Sequence, residues 1–180
     1  ISELAKILKQ EFHTELSKDD LQACSQIISQ FIEKGKKILR GDLQFILEKT
    51  IRQSFLSKVK NPLKVLDFKV EASRTEKALG KARISYNGKE FEVSSYGVGP
   101  VDSIINAIKK AVLENGFKFK LTDYNVAITE GGTDASVNVK MTLEDENKNK
   151  IVAMGTSPDI IAASIEAFQE GYNLLAFKNQ

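Results

Sequence analysis

Residues 97–100 read Gly-Val-Gly-Pro, and a related phrase, Gly-Thr-Ser-Pro, occurs at residues 155–158. Each phrase is followed by a run with apolar side chains at helical spacing. Upstream, Asp-Phe-Lys-Val at residues 67–70 is echoed by Asp-Tyr-Asn-Val at residues 123–126. The C-terminal two-thirds of the chain is therefore predicted to be one supersecondary unit that is present twice. A duplicated unit can enclose a site on its internal pseudo-twofold axis, and we expect function there.

The segments between these phrases predict three strands and one helix in each unit. Apolar and polar residues alternate from Ala82 to Tyr86, and Asn87-Gly88 is a strong signal for a two-residue hairpin turn. In the second unit, a longer and charged turn at residues 144–150 takes its place. The prediction is an α+β fold with two pseudo-twofold-related βββα units, at about residues 63–115 and 118–176. Each sheet has one apolar face, which its helix or the other unit must cover.

The two turn phrases are predicted to lead directly into helices. The apolar spacing places these helices at Val101–Leu113 and Asp159–Leu175. Pro100 and Pro158 then fall at the helix starts, where the missing N–H group of proline costs no hydrogen bond.

The residues before the duplicated units are predicted to form a helical linker subdomain, residues 1–60. Ser17 and the acidic residues that follow it predict a helix N-cap, and an apolar stripe that includes Cys24 comes next. Asn61-Pro62 marks the boundary, because the apolar period changes there from about 3.6 to about two residues. The duplicated domain is predicted to span residues 61–180.

Composition excludes several classes of protein. The chain has 180 residues, 42% of them hydrophobic and 28% charged, with a net charge of +2. A net charge this close to zero does not favour binding to nucleic acid or to an anionic membrane. No apolar run approaches the roughly 18 residues of a membrane helix. Cys24 is the single cysteine and His13 the single histidine, so no disulfide framework or His/Cys metal motif is expected. No carboxylate pair stands out either, and catalysis by this chain alone is not expected.

The first turn phrase is a candidate binding site. Gly97 and Gly99 are expected to allow close backbone approach and positive φ. The N-terminus of the following helix presents unpaired N–H groups and a positive dipole end, which suit a small anion or carboxylate. A plain strand-to-helix turn explains the same residues, and the spacing alone does not decide. The pattern is not a dinucleotide fingerprint, because the third glycine is missing. The glycine loop at residues 131–135 is a further candidate, because the first unit has unrelated residues there.

In combination, these phrases resemble the C-terminal regulatory domain of 2-isopropylmalate synthases and citramalate synthases. The resemblance covers about residues 63–176, and the helical residues before them look like the linker subdomain of that family. Five phrases in matching order carry it: Gly97–Asp102, Asp123-Tyr124, Gly132–Ala135, Asp159–Ser164 and Asn173–Leu175. Each phrase is weak alone, but together they are specific.

The resemblance implies a non-catalytic domain that forms a homodimer and binds a feedback effector, with leucine first and isoleucine second. Its parent would be a cytoplasmic acyltransferase of branched-chain amino-acid biosynthesis. Such an enzyme condenses acetyl-CoA with a 2-oxo acid on a TIM barrel that uses a divalent metal, and the barrel is not in this chain. The domain itself is expected to need no cofactor. Its expected partners are the effector, a second copy and the barrel, with no nucleic acid and no membrane.

By the same resemblance, eight residues are expected to contact the effector. They are Gly97, Gly99, Asp102, Ile128, Asp134, Ala135, Val137 and Thr156. The small and apolar members would form a slot for a branched side chain, while Asp102, Asp123 or Asp134 would meet the ammonium group. Val98 departs from the family phrase, which usually has Asn there, so a side-chain amide beside the ligand is lost.

Two alternatives remain at this stage. A βββα unit preceded by a helix also resembles a double-stranded RNA-binding domain, but such a module needs a basic first helical turn, and Val101-Asp102-Ser103 is not basic. The other alternative is a structural dimerisation domain without an effector. A thermal-shift panel of amino acids separates it from a regulatory domain.

Overall fold

The computed structural model describes residues 1–33, 38–114, 116–128 and 137–179. Within these residues the chain forms five helices and six strands. They are α1 (Ser2–Phe12), α2 (Lys18–Glu33), α3 (Arg40–Ser57), β1 (Lys64–Glu71), β2 (Ala78–Tyr86), β3 (Lys89–Gly97), α4 (Pro100–Glu114), β4 (Phe119–Ile128), β5 (Val137–Asp145), β6 (Lys150–Ser157) and α5 (Ile160–Lys178). This order confirms the predicted α+β fold with two βββα units. The chain divides into a helical unit, Ile1–Lys58, and a second unit that begins at Val59.

The helical unit is organised by a helix cap and a small buried centre. The Ser17 hydroxyl oxygen accepts the Asp20 N–H at 3.1 Å and the hydroxyl donates to the Asp20 carboxylate at 2.7 Å, which confirms the predicted cap of α2. Cys24 and Ile46 are fully buried. Burial raises the pKa of the Cys24 thiol against a weaker opposing hydrogen bond with Thr50, so the thiol stays protonated at neutral pH. Cys24 therefore contributes to packing and is a poor nucleophile.

Each βββα unit is an antiparallel sheet with one helix on one face. The sheets have the orders β1-β2-β3 and β4-β5-β6, with α4 on β2 and β3 and α5 on β5 and β6. The predicted hairpin at Asn87-Gly88 is confirmed by positive φ at both residues. A detail of the backbone also repeats. The ladder slips between Val65 and Asp67 in β1 and between Leu121 and Asp123 in β4, at equivalent positions of the two units. The duplication thus extends to a shared bulge.

The glycines of the turn phrases act only in part as the sequence predicted. Among the described residues, Gly88 is the glycine with positive φ, so the expectation of positive φ at Gly97 and Gly99 is wrong. A Cβ atom at Gly97 would lie 2.3 Å from a backbone nitrogen of α4, and one at Gly155 would lie 2.0 Å from a carbonyl oxygen of α5. These two glycines therefore let a strand pack directly on the backbone of the helix that follows it. A Cβ at Gly99 would meet no atom within 4 Å, so neither positive φ nor close packing requires a glycine at this position.

The two helices begin differently. α4 begins at Pro100, but the expectation that Pro158 begins the last helix is wrong. Asp159 is the N-cap of α5, with an extended backbone, and its carboxylate accepts the Ile161 N–H at 2.8 Å. The helix therefore starts at Ile160, because a carboxylate that satisfies an N–H of the first turn makes a strong cap.

An aromatic cluster joins the two βββα units. The hydroxyl oxygens of Tyr86, from β2, and Tyr172, from α5, lie 2.6 Å apart in the core. The rings of Phe117 and Tyr172 stack with their centroids 5.3 Å apart, and Phe119 packs edge-on against Tyr172. Burial, followed by the hydrogen bond with Tyr86, raises the pKa of Tyr172 well above its usual range, so its hydroxyl is neutral.

α5 also holds the start of β1 through two side chains. Asn173 Oδ1 accepts the N–H of Leu63 at 2.8 Å, and Asn173 Nδ2 donates to the Leu63 carbonyl oxygen at 2.9 Å. One turn earlier, Gln169 Oε1 accepts the N–H of Val65 at 2.7 Å. Asn173 is only 5% exposed, so the Leu63 backbone and this amide satisfy each other inside the core.

Candidate functional site

The turn between β3 and α4 brings three of the predicted site residues together. The Asp102 carboxylate folds back over the turn, where its Oδ2 accepts the Val98 N–H at 2.9 Å. The Ser103 N–H bonds to the Gly99 carbonyl at 2.9 Å and closes the first helical turn. Gly97 lies under this carboxylate, so Gly97, Gly99 and Asp102 share one small surface. The negative charge at this helix start favours an ammonium group there over an anion.

A second candidate surface lies on β4, where three apolar side chains share one face. Tyr124, Val126 and Ile128 alternate along the strand, and Ile128 is paired with Val137 at the start of β5. All three side chains of β4 are exposed, Ile128 to 68%. We call Tyr124, Val126 and Ile128 the β4 strip. Because Ile128 and Val137 are direct cross-strand neighbours, the structure brings these two predicted site residues together.

Tyr124 fixes the position of the β4 strip relative to α5. Its hydroxyl oxygen lies 2.9 Å from Ser164 Oγ, and the Ser164 hydroxyl donates to the Ile160 carbonyl at 2.6 Å. Since serine has one hydroxyl proton, Tyr124 is the donor to Ser164. The phenol is thus tied to the first turn of α5, while its ring remains 37% exposed.

The equivalent face of β1 is covered. Phe68 and Val70 occupy the positions of Tyr124 and Val126, judged from the shared bulge, and both pack against the hydrophobic core. The β4 strip is absent from that core cluster among the described residues. Within the described residues, the apolar row of β4 is therefore more exposed than the equivalent row of β1.

Thr156 lies on the other face of the second sheet. It is paired with Asn138, and its hydroxyl donates to Asn138 Oδ1 at 2.7 Å. Val137, one residue earlier on β5, faces α5 with Val139. Asp123 likewise alternates with Tyr124 and faces away from α5. The structure therefore does not bring the Thr156 or Asp123 side chains onto the face that carries Ile128 and Val137.

Two predicted site residues, Asp134 and Ala135, lie outside the described residues, as does the rest of the glycine loop at residues 131–135. Tyr124 and Val126 belong to this candidate surface but were not predicted as site residues. Their apolar alternation with Ile128 places them on one face of the strand, but Phe68 and Val70 of β1 show the same alternation, so the sequence carries no signal for their exposure.

The described residues contain neither a metal-binding cluster nor a membrane-spanning helix. No group of three or more His, Cys, Asp and Glu side chains there could hold a metal ion. No helix in that part of the chain is long and apolar enough to cross a bilayer.

Sequence comparison with known proteins shows the family of the chain. The sequence profile described as the LeuA allosteric (dimerisation) domain matches residues 37–176. The chain belongs to this family. The domain is 35% identical over 148 residues to a putative (R)-citramalate synthase of Archaeoglobus fulgidus, a match that covers 82% of the chain and 29% of the relative.

Other relatives are named as 2-isopropylmalate synthases. A probable 2-isopropylmalate synthase of Methanopyrus kandleri is 30% identical over 93% of the chain and 33% of its own length. The 2-isopropylmalate synthase of Aquifex aeolicus is 31% identical over 91% of the chain and 30% of its own length. The allosteric domain thus spans about a third of the length of these relatives, and the relatives include both kinds of synthase.

Proposed function

We propose that this domain is the feedback-regulatory part of a 2-isopropylmalate synthase-type enzyme and binds a branched-chain amino acid, leucine first and isoleucine second. The observation that carries the proposal is the β4 strip, an apolar surface that is exposed in the described part of a domain whose family is described as allosteric. Apolar side chains suit the branched aliphatic part of such an effector.

The charged part of the effector needs polar partners of the opposite sign. Asp102 offers a carboxylate at the start of α4, held in place by the Val98 N–H. This group would receive the α-ammonium of an amino acid, while Gly99 leaves space beside the turn, since a Cβ there would meet no atom within 4 Å. Ile128 and Val137 would contact the side chain. Asp134 and Ala135 remain part of the proposed site by resemblance.

The β4 strip also supports the proposed homodimer. It lies on an edge strand, and a second copy seated there would remove its apolar side chains from water. An effector bound next to such an interface changes activity only if it has different affinities for two arrangements of the dimer. The same surface would then serve both dimerisation and regulation.

The remaining proposals concern the parent protein. The relatives are synthases about three times as long as this chain, so a catalytic domain that uses acetyl-CoA and a divalent metal would lie in the part they do not share with it. This chain would then be non-catalytic by itself and would act in the cytoplasm on its attached catalytic domain.

Titration calorimetry and thermal shift with leucine, isoleucine, valine and lysine test the effector. At an amino-acid concentration of about 100 times Kd, binding adds roughly 2.7 kcal/mol to the stability of the domain. V126D places a charge on the β4 strip and should abolish binding. V152D is the matched control, because Val152 and Val126 are 39% and 38% exposed and Val152 lies on the other face of the sheet. Equal binding by both variants would exclude the β4 strip.

A second candidate function is a dimerisation domain without an effector, which the same uncovered strip also fits. It predicts that none of the four amino acids shifts the melting temperature, while V126D still weakens the dimer in sedimentation velocity. An effector response in the wild-type domain excludes this candidate.

A further inference from the structure

β6 is an edge strand, and two of its outward N–H groups are bound by side chains of α5. The N–H of Met154 donates to Glu170 Oε2 at 2.8 Å, and the N–H of Thr156 donates to Glu166 Oε2 at 3.1 Å. Both residues pair with β5 on their other side, in the order β4-β5-β6. The two glutamates thus take the place that a neighbouring strand would occupy.

The spacing of this arrangement follows from helix and strand geometry. Glu166 and Glu170 are four residues apart and lie on one side of the helix, about 6 Å apart along its axis. Met154 and Thr156 are two residues apart and point their N–H groups the same way, about 6.8 Å apart along the strand. The two repeats nearly match, so two successive acceptors can serve two successive donors.

Without these carboxylates, β6 would be a favourable strand for pairing. Val152 and Met154 are exposed, and together with Thr156 they form an alternating row on the outer face. An edge with unpaired N–H groups and apolar side chains is a template for strand addition by another chain.

The first βββα unit has no pair of glutamates at these positions, although its helix has the same design. There the N–H of Val98, at the position of Thr156, is bound instead by Asp102 Oδ2 at 2.9 Å. Six buried positions of α4 recur in α5 sixty residues later, for example Ala107 and Ala167. The same offset places Asn106 and Lys110 at the positions of Glu166 and Glu170. An ammonium group cannot accept a hydrogen bond, so Lys110 cannot bind an edge-strand N–H. The paired glutamates are therefore specific to the second unit and are not required by the fold.

We propose that Glu166 and Glu170 keep the β6 edge closed to strand pairing with other copies of this chain, so that self-association is confined to other surfaces, including the β4 strip. This proposal is independent of any effector. It assigns to the two glutamates a role in selecting the assembly, since they remove one of the competing edges.

The test replaces the acceptors and measures assembly. E166A/E170A frees both N–H groups and should at least double the weight-average mass relative to wild type in sedimentation velocity, increasingly so at high protein concentration. E166Q/E170Q is the matched control, because the amide oxygen of Gln still accepts the N–H, and it should keep the wild-type mass. Amide exchange at Met154 and Thr156 should be faster in dilute E166A/E170A than in either other protein.

A suppressor identifies the edge that associates. Adding M154K to E166A/E170A places like charges on a strand that would pair with its own copy, and it should restore the wild-type mass. If the double variant does not fold, E170A alone serves in its place. It frees only the Met154 N–H and keeps the contact of Glu166 with Thr156, and its mass and amide exchange are measured in the same way. Faster exchange at Met154 without any increase in mass would overturn the proposal, and so would an increase in mass that M154K leaves unchanged.

Discussion

The two βββα units share a backbone design and differ in what their helices do to neighbouring strands. Both first strands carry the same bulge, and the buried positions of α4 and α5 coincide. Yet α5 binds backbone groups of β1 and β6 through four polar side chains, whereas α4 has Lys110 and Leu113 at two of the corresponding positions. In addition, the apolar face of β1 is packed, and that of β4 is exposed.

This difference shows how a duplicated unit gains a function. The core positions of both copies must remain small or apolar, because each helix still has to cover its own sheet. The side chains at the borders of the sheet are free to diverge. In the second copy they produce closed edges at β6 and the start of β1, and leave the β4 strip open.

The glycines of the two turn phrases should give the largest effects. G155A and G97A place a Cβ 2.0 Å and 2.3 Å from helix backbone atoms that cannot move as a side chain would. Each should therefore lower the free energy of unfolding by about 3 kcal/mol or more, the upper end of overpacking costs. G99A is the control: its Cβ meets no atom, so we expect unchanged stability or a gain of about 0.4–1 kcal/mol. Urea unfolding measures the stability of all three variants. Equal losses of stability would contradict the conclusion that Gly97 and Gly155, but not Gly99, are required for close packing.

The contact between α5 and the start of β1 should give the next largest effect. N173L removes two hydrogen bonds to Leu63 and leaves a buried peptide group without these partners, at a cost of about 2–4 kcal/mol. Q169L loses one bond at a less buried position and should cost about 1 kcal/mol. Chemical denaturation measures both variants. If N173L were as stable as Q169L, the contact with Leu63 would contribute no more to stability than the contact with Val65.

The buried tyrosine pair should give a smaller effect. Y172F removes the hydroxyl that lies 2.6 Å from the Tyr86 hydroxyl but keeps the ring that stacks on Phe117. The expected loss is about 1–2 kcal/mol, because one buried polar group loses a partner while packing is retained. Y172V, which copies Val112 at the equivalent position of α4, should cost more, since it also leaves a cavity. Thermal unfolding in which Y172V is the more stable variant would contradict this ranking.

The smallest effect concerns the hairpin between β5 and β6, which is charged where the first unit has Asn87-Gly88. The hydrogen bond from Lys148 holds the pKa of Glu144 below its usual 4.5, with Lys120 adding to it, although burial acts in the opposite direction. A lowered folded-state pKa stabilises the fold above the unfolded-state value, and this contribution is lost as the pH falls through the folded-state value.

Acid titration of unfolding therefore distinguishes the two hairpins. E144Q should flatten the decline in stability below about pH 4.5 that the wild-type domain shows, because one titrating group with a lowered pKa is gone. R83Q, which removes the exposed partner of Glu90 in the first sheet, serves as the control and should leave that decline almost unchanged. A steeper decline in E144Q would mean that the carboxyl is destabilising in the folded state.

Much of the fold was predictable, because its signals are local. Alternating apolar residues defined the strands, and Asn87-Gly88 requires the positive φ that it adopts. The start of α4 at Pro100 was also predicted from a local signal, the proline itself. By contrast, the start of α5 was misplaced at Pro158, since the Asp159 cap competes with a proline preference of similar strength. At Gly97 the predicted close backbone approach is correct, because a Cβ there would lie 2.3 Å from a backbone nitrogen of α4, but the predicted positive φ is wrong.

The candidate site was predictable in part. The resemblance named Gly97, Asp102, Ile128 and Val137, which lie on two compact surfaces. It could not show that the Thr156 side chain points to the opposite face of its sheet, where it bonds to Asn138. The exposure of Tyr124 and Val126 also could not be read from the sequence, because Phe68 and Val70 form the same alternating pattern and are packed.

The duplication, the order of elements and the family can be predicted from the sequence, since they depend on residue types and their spacing along the chain. The tertiary structure alone decided which of two similar strands is covered and which of two similar edges is closed. The reason is physical: burial and hydrogen bonding depend on what lies opposite a residue in space. Leu63 and Asn173, 110 residues apart, form such a pair that no local pattern predicts.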